Sequence, residues 1–300
     1  MKIQPQAFLL ALRPKQWVKN AVVLAPVFFA AGDRAQRLNV ASVAEALLAA
    51  LLFCVVSSGI YVMNDLCDRD ADRLHPVKRL RPVASGALPV GAARVLMVAL
   101  LLVGLGGSFA ASLELGGVLT GYALLQVAYT LFLKRIALVD VFVIAAGFVM
   151  RAGAGAVAAQ VAISPWLLLC AFLLALFLAL CKRRHEKRLL DDRADGHRAS
   201  LEGYDARLLD LLIAIVSAVT IACYAIYTLW PETVEKFHSH GLGLTVPLVI
   251  FGMFRYLDLV YRHEQGGHPE RVLFGDSPLL FCLGAYALTV LAVFHRGLFG

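Results

Sequence analysis

Long, uninterrupted apolar runs constrain this chain more than any other feature of its sequence. They lie near residues 17–31, 40–64, 92–112, 115–133, 138–158, 164–181, 208–230, 243–261 and 278–295. Most approach the roughly 20 apolar residues that one transmembrane helix requires, and they lack the two-residue alternation of an outer-membrane barrel strand. Charged residues make up only 16% of the chain, against about 25% in soluble domains. The sequence therefore predicts an all-α integral membrane protein with nine transmembrane helices.

Basic residues divide unequally between the two sides that nine spans define. Of the 28 lysines and arginines, 23 fall in the N-terminal segment or in segments that follow even-numbered runs. The opposite side carries Arg34, Arg37, Lys236 and Arg296, and Arg151 lies within a run. Because cytoplasmic loops are enriched in lysine and arginine, this distribution predicts a cytoplasmic N-terminus and a C-terminus outside.

Net charge and domain organisation follow from the same pattern. The charge of +7 reflects topology first, together with attraction to anionic lipid head groups or phosphorylated substrates. Nucleic acid is not an expected partner, because the chain shows no soluble basic domain or aromatic platform. Six scattered cysteines without a C-x-x-C pair argue against a metal cluster or a disulfide framework. We expect one polytopic domain over residues 1–300, embedded in the bilayer, with its chemistry in cytoplasmic loops at about 65–91 and 182–207.

An acidic segment follows directly on the second run. If the helix continues, Asn64, Asp68 and Asp72 recur at i, i+4 and i+8 and share one face. Like charges at that spacing repel one another, and a divalent cation removes this repulsion. Magnesium prefers one or two carboxylates together with substrate phosphate oxygens. The segment therefore predicts a magnesium site at Asn64, Asp65, Asp68 and Asp72, and the alternative is a solvated helix end.

A basic segment comes next in the same loop. Lys78, Arg79 and Arg81 lie within about 15 residues of the acids, and Pro76, Pro82 and Gly86 shape the turn around them. Acids that hold a metal beside bases that hold phosphate are typical of a diphosphate site. The alternative is an anchor that follows the positive-inside rule, and both roles can coexist.

These motifs resemble those of a known family. The pattern N-D-x-x-D-x-x-x-D, followed by K-R-x-R-P and S-G in a chain of nine spans, resembles the UbiA superfamily of membrane prenyltransferases. Within it, the segments 12–20, 140–151 and 182–186 are most similar to a branch that transfers phosphoribose. The similarity extends over essentially the whole chain, including residues 201–204 and the loop 267–276.

The resemblance implies an activity and a setting. It implies Mg²⁺-dependent transfer of 5-phosphoribose from phosphoribosyl pyrophosphate to a polyprenyl (decaprenyl-type) phosphate, with release of pyrophosphate. It also implies nine helices around a central cavity in a bacterial inner (plasma) membrane, with the polar site capped by cytoplasmic loops and the C-terminus periplasmic. In mycobacterial relatives the reaction supplies arabinan synthesis for the cell wall.

One segment departs from the pattern of the wider superfamily. Ordinary members carry a second aspartate-rich motif after the sixth span, where this chain reads Lys182-Arg183-Arg184-His185-Glu186. Arginine and lysine bind phosphate directly, which suits a phosphorylated acceptor and a sugar phosphate. Asp191, Asp192 and Asp195 are left open as a shifted acidic motif or a solvated loop.

The resemblance and the residue chemistry together suggest roles. The catalytic and metal-binding candidates are Asn64, Asp65, Asp68 and Asp72. The substrate-binding candidates are Lys15, Gln16, Lys19, Lys78, Arg79, Arg81, Lys134, Asp140, Lys182, Arg183, Arg184 and Glu186. Glu186 is a candidate for a ribose hydroxyl or a second metal.

Two other functions remain as alternatives. A UbiA-type enzyme could move a prenyl group from a prenyl diphosphate to an aromatic or lipophilic acceptor. A lipid transporter is less well supported, because paired broken helices at mid-membrane are not evident in the sequence. Homo-oligomerisation is left open.

Overall fold

The computed structural model describes residues 5–33, 35–36, 38–191, 203–263, 266–267, 272 and 275–299, and every regular element within them is a helix. The α-helices are α1 (Pro5–Leu12), α2 (Ala25–Ala30), α3 (Val40–Cys67), α4 (Arg69–Leu74), α5 (Val90–Ala111), α6 (Leu113–Leu131), α7 (Val139–Ala159), α8 (Pro165–Asp191), α9 (Ala206–Leu229), α10 (Pro231–Phe237), α11 (Val246–Tyr261) and α12 (Ser277–Phe299). Short 3₁₀ helices cover Pro14–Leu24, Lys78–Leu80, Leu133–Arg135 and Gly241–Thr245.

Seven helices in the described part of the chain are long and apolar enough to cross a membrane. They cover Val40–Cys67, Val90–Ala111, Val139–Ala159, Pro165–Arg188, Ala206–Leu229, Gly241–Tyr261 and Ser277–His295. The predicted all-α, multi-pass membrane architecture is therefore confirmed, and seven of the nine predicted spans are found among these helices.

The other two predicted runs are not among these seven helices. The first run folds as the 3₁₀ helix Pro14–Leu24 followed by the six-residue α2. Pro26 lies near the start of α2, where a proline is tolerated, but it cannot lie inside a longer helix without removing a hydrogen bond. The fourth run forms α6, whose 19 residues include Glu114 and Gln126, and these polar side chains make it less apolar than the seven spans.

Side-chain caps explain where two of the helices begin. The side chain of Asn39 accepts a hydrogen bond from the Ser42 amide at 2.8 Å at the start of α3. The side chain of Ser112 accepts one from the Leu115 amide at 3.0 Å at the start of α6. Each cap satisfies an amide that the first turn of a helix leaves without a partner.

The chain forms two compact units, and the first contains residues 1–27, 39–134 and 150–161. Its core packs α3 against α5 and α6 around the buried side chains of Phe53 and Leu119. Gly155 permits a very close approach, because a Cβ atom there would lie 1.7 Å from the Val23 carbonyl oxygen. Small residues at helix contacts allow such approaches in membrane proteins.

The second unit contains residues 28–38, 135–149 and 162–300. Its larger core joins α8, α9 and α11, and the rings of Phe177 and Tyr256 lie 5.4 Å apart within it. A smaller cluster stacks Phe237 on Phe294, with ring centroids 5.2 Å apart. The prediction of a single polytopic domain stays a prediction.

A buried carboxylate fixes the loop after α2 in the second unit. Asp33 accepts hydrogen bonds from Gln36 at 2.8 Å and from the Ala35 amide at 3.0 Å, and it lies 3.1 Å from the Lys236 amine. Burial raises the pKa of Asp33, but the hydrogen bonds from Gln36 and Lys236 outweigh it and the net pKa is lowered. The ionised carboxylate therefore stabilises this loop.

Candidate active site

The acidic segment follows a nearly continuous helical path from α3 into α4. Asp68, which joins the two helices, donates its amide to the Asn64 carbonyl at 2.9 Å, and the Asp72 amide donates to the Asp68 carbonyl at 2.8 Å. Asn64, Asp68 and Asp72 thus succeed one another along the path that the sequence predicts. Cys67, the last residue of α3, is exposed.

Two of the acids converge on a single guanidinium nitrogen. Arg81 Nη1 donates to Asp72 Oδ2 at 2.6 Å and to Asp65 Oδ1 at 3.2 Å. Asp65 and Asp72 are 1% and 4% exposed, and Asp65 also forms an ion pair with Arg13. The two carboxylates are seven residues apart, close to two helical turns, so they flank one cation position.

Asp68 has a different partner. The Lys134 amine, in the 3₁₀ helix after α6, lies 2.6 Å from Asp68 Oδ1. Asp68 is more open than Asp65 and Asp72, with 31% of its side chain exposed. Lys134, a predicted substrate ligand, thus holds an acid of the predicted metal site.

The carboxylates suit a magnesium ion that is completed by substrate. Asp65 and Asp72 already surround the position of one cationic atom, and the open Asp68 lies one turn from Asp72. Among the residues that the structure describes, no group of three or more His, Cys, Asp or Glu residues could hold a metal. Magnesium bound by one or two carboxylates and by phosphate oxygens does not require such a group.

The basic loop after α4 is held by its own backbone and side chains. Arg73 Nε donates to the Ala84 carbonyl at 3.1 Å, and His75 Nδ1 accepts hydrogen bonds from the amides of Val77 and Lys78 at 3.2 and 3.3 Å. Gly86 has a φ of +80°, a left-handed conformation that favours glycine. These contacts hold the loop in a defined conformation, in which Arg81 contacts Asp65 and Asp72.

The remaining predicted ligands of the first unit differ in exposure. Lys15 and Arg79 are exposed, whereas Gln16, Lys19 and Lys78 are half-buried. Their roles in substrate binding remain predictions.

A second polar centre lies in the second unit and is deeply buried. Asp140 and Arg183 are 0% and 2% exposed, and Arg183 Nε donates to Asp140 Oδ2 at 2.6 Å. Arg183 also donates to Glu186 Oε2 at 2.5 Å. Arg183 is predicted from the sequence to bind substrate phosphate, and in the structure it links two carboxylates.

Tyr204 completes this centre and was missed as a site residue by sequence reasoning. Its hydroxyl donates to Asp140 Oδ1 and accepts from the Leu138 amide, both at 2.7 Å. Burial and the hydrogen bond to Asp140 raise the pKa of Tyr204, so the hydroxyl keeps its proton. Tyr204 lies in the segment 201–204 that shares the family resemblance, but its residue type and spacing did not mark it as a site residue.

Arg184 also has a protein partner. Its Nε donates to Asp210 Oδ1 at 2.6 Å, and its guanidinium carbon lies 3.7 Å from the ring centroid of Tyr261. The Tyr261 hydroxyl donates to the same Asp210 oxygen at 2.8 Å. These contacts join α8, α9 and α11. An acid in an apolar run, such as Asp210, is a sequence signal for a buried partner.

A further ion-pair group lies where α12 begins. Arg255 donates to Asp276 at 2.7 Å and to Asp258 at 2.7 Å, and the Asp276 side chain also caps the Leu279 amide at 2.9 Å. The hydrogen bond from Arg255 lowers the pKa of Asp276. The group thus anchors the start of the last helix.

Arg151 is buried in α7 of the first unit. It donates to Asn20 and to the Tyr122 hydroxyl, both at 2.8 Å, and lies over the rings of Phe53 and Tyr122. These contacts support a structural role for Arg151.

Lys182 is half-buried. The side chains of Asp191, Asp192 and Asp195 lie outside the described residues, so the second acidic motif is not tested.

These observations define a class of protein: a multi-pass, all-helical membrane protein with paired acid and base centres near helix ends. The chain belongs to the UbiA prenyltransferase family, whose model matches residues 21–274. This confirms the family that the motifs indicated.

Individual relatives are similar over nearly their whole length. The chain is 36% identical over 298 residues to decaprenyl-phosphate phosphoribosyltransferase of Corynebacterium glutamicum, covering 96% of this chain and 87% of that protein. It is 34% identical over 280 residues to the protein of the same name from Mycobacterium tuberculosis, covering 93% and 91%.

A solved structure confirms the fold. A UbiA homolog from Archaeoglobus fulgidus, bound to GPP and Mg²⁺, matches with a TM-score of 0.71 and 20% identity over 96% of this chain and 99% of that one. The Mg²⁺ ion is bound to that homolog. For this chain, the similarity shows the fold alone.

Proposed function

We propose that this protein transfers 5-phosphoribose from phosphoribosyl pyrophosphate to a polyprenyl phosphate of decaprenyl type and releases pyrophosphate. Two relatives that carry this activity in their names match nearly the full chain at 36% and 34% identity. The structural observation that carries the proposal is the convergence of Asp65 and Asp72 on one cation position, which Arg81 Nη1 occupies, since a cation held there would place positive charge beside a departing diphosphate.

The first centre suits the leaving group. Asn64, Asp65, Asp68 and Asp72 would hold magnesium, which when bound supplies positive charge to the departing diphosphate. Arg81 Nη1 occupies the position between Asp65 and Asp72 through its two hydrogen bonds, so a metal held by both carboxylates would take that position from it. Because Asp65 and Asp72 are buried, their charges are poorly screened by water, which strengthens their attraction for a cation.

The acceptor needs little activation. A lipid phosphate is already anionic near neutral pH, so its oxygen can attack the anomeric carbon without a strong general base. Positive charge develops on the ribose while negative charge develops on the leaving diphosphate, and fixed charges stabilise both. The remaining cationic candidates for the substrate phosphates are Lys15, Lys19, Lys78, Arg79 and Lys182.

The membrane orientation is part of the proposal. The uneven distribution of basic residues supports a cytoplasmic N-terminus and a periplasmic C-terminus in a bacterial inner membrane. The loop 65–91 would then face the cytoplasm, where water-soluble phosphoribosyl pyrophosphate is available. A reporter fused after residue 300 that is active only in the periplasm tests this orientation, and activity only in the cytoplasm would contradict it.

The activity is tested with purified protein, phosphoribosyl pyrophosphate labelled in its ribose, decaprenyl phosphate and Mg²⁺. We expect the label to move into the organic phase and pyrophosphate to appear in equal amount. Label that stays in water, together with transfer from a labelled prenyl diphosphate to an aromatic acceptor, would establish the alternative prenyltransferase activity instead.

A further inference from the structure

One arginine of the acidic segment contacts none of the acids around it. Arg69, the first residue of α4, is half-buried, and its Nε atom is buried without a hydrogen-bond partner. Within the part of the chain that the structure describes, Arg69 forms no hydrogen bond and no ion pair. A buried donor without an acceptor costs free energy, so this position favours a ligand that accepts a hydrogen bond.

The acids of the segment already pair with other cations. These ion pairs are Asp65–Arg81, Asp68–Lys134, Asp70–Arg73 and Asp72–Arg81. Asp65 lies four residues before Arg69 and Asp72 three residues after it, spacings at which helical side chains can meet. Since both carboxylates contact Arg81 instead, the segment leaves the charge of Arg69 for an anion from outside the protein.

Arg69 lies on the same side of the helical path as Asp65 and Asp72. At about 100° per residue, it is turned by roughly 40° from Asp65 and roughly 60° from Asp72 around the axis. These two carboxylates flank the cation position that Arg81 Nη1 occupies. Asp70 is turned away from both, and its side chain is 89% exposed. Arg69 therefore borders the cation position, and all of these residues belong to the first unit.

The chemistry of an arginine at this place suits a phosphate group. A guanidinium stays charged, and its planar fork donates two parallel hydrogen bonds to phosphate oxygens. In the proposed reaction, the anion beside the cation position of Asp65 and Asp72 is the diphosphate of the donor. A guanidinium that borders this position can bind the same diphosphate.

We infer that Arg69 is a phosphate-binding residue for the donor: its guanidinium donates hydrogen bonds to the diphosphate of phosphoribosyl pyrophosphate, beside the cation position of Asp65 and Asp72. This inference rests on the proposed function. It adds a ligand that the spacing of the acids and of the basic segment did not assign.

The test measures two constants for Arg69→Gln, the KM for phosphoribosyl pyrophosphate and the inhibition constant of inorganic pyrophosphate. Losing a hydrogen bond to a charged group should raise both roughly 10-fold. The KM for decaprenyl phosphate should stay within about twofold, since the change does not touch the acceptor. Arg69→Lys keeps the charge but loses the planar fork, so it should raise both constants by a smaller factor.

A matched control removes a different arginine of the first unit. Arg94 is exposed in the second turn of α5, so Arg94→Gln changes the net charge equally and leaves the proposed contact intact. Both constants should stay within about twofold of the unaltered protein. An equal rise in Arg69→Gln and Arg94→Gln would assign the effect to net charge and overturn the inference.

Thermal unfolding in lipid-free detergent measures pyrophosphate binding without turnover. Inorganic pyrophosphate with Mg²⁺ should raise the unfolding temperature of the unaltered protein more than that of Arg69→Gln. A parallel series with phosphatidylglycerol micelles tests a lipid head group as the source of the phosphate. If the response to Arg69→Gln is found only with the lipid, the inference is overturned.

The failure of each proposal can be distinguished. If the unaltered protein transfers no ribose, the proposed function fails, and the unfolding series still decides whether Arg69 binds pyrophosphate. If it transfers ribose and Arg69→Gln keeps both constants, or raises the KM for decaprenyl phosphate instead, the inference is overturned. If Arg69→Gln does not fold, Arg69→Lys decides by the same two constants.

Discussion

The shared cation position between Asp65 and Asp72 can be tested by removing the cation that occupies it. Arg81→Gln keeps a polar side chain and removes the charge. Breaking a buried ion pair by removing one partner costs about 3–5 kcal/mol. Arg81 is 25% exposed and Asp65 keeps its ion pair with Arg13, so we expect a smaller loss of unfolding free energy, about 2–3 kcal/mol.

Thermal unfolding of detergent-solubilised protein measures this loss. A change of this size lowers the unfolding temperature by roughly 3–5 °C in a chain of this length. The matched control is Arg79→Gln, which removes an exposed charge from the same loop and should change the unfolding temperature little.

Magnesium provides the decisive comparison. Without Arg81, the two buried carboxylates lack their common cation, so millimolar Mg²⁺ should raise the unfolding temperature of Arg81→Gln more than that of the unaltered protein. Equal stability of the two arginine variants, or an equal Mg²⁺ effect on all three proteins, would refute the shared cation position.

Further outcomes follow from the other contacts. Asp72→Asn should abolish transfer at an unchanged fold by circular dichroism, whereas Asp70→Asn should retain it because the Asp70 side chain is 89% exposed; similar activities would remove Asp72 from the site. EDTA should stop transfer and Mg²⁺ should restore it. The pKa of Asp33 is lower in the folded protein than its ordinary value of 3.8. The ionised Asp33 carboxylate therefore stabilises the fold at pH values above 3.8, and this contribution is lost as the pH falls through the lower pKa of the folded state. The unfolding temperature of Asp33→Asn should therefore decrease less steeply below about pH 4. Gly155→Leu should give little folded protein on size-exclusion chromatography, since even a Cβ there meets the Val23 carbonyl.

The sequence predicts most of the helices because long apolar runs in a membrane protein have few other conformations. The first run does not form one long α-helix because Pro26 lies inside it. A proline within a helix removes a backbone hydrogen bond, so the cause lies in the run itself. The fourth run forms the expected helix, but its polar residues reduce its hydropathy. Apolar runs thus predict that a segment is helical, but they do not fix the number of membrane-spanning helices where a run contains proline or polar residues.

The site shows a sharper limit. The helical path through Asn64, Asp68 and Asp72 follows from spacing alone. The pairing of Asp65 with Asp72 depends on Arg81 and on Arg13, which is 52 residues before Asp65, and no local rule predicts such partners. The sequence likewise predicts Arg183 as a phosphate ligand. The structure pairs it with Asp140, which is 43 residues earlier in the chain.

Cys67 offers a practical route to the acidic centre. It is an exposed thiol one residue before Asp68, whereas Cys181 and Cys282 are buried. A maleimide dye should therefore label this position with little background from those two cysteines. Ligands that occupy the neighbouring carboxylates should slow the labelling, so the chain carries its own chemical reporter of donor binding.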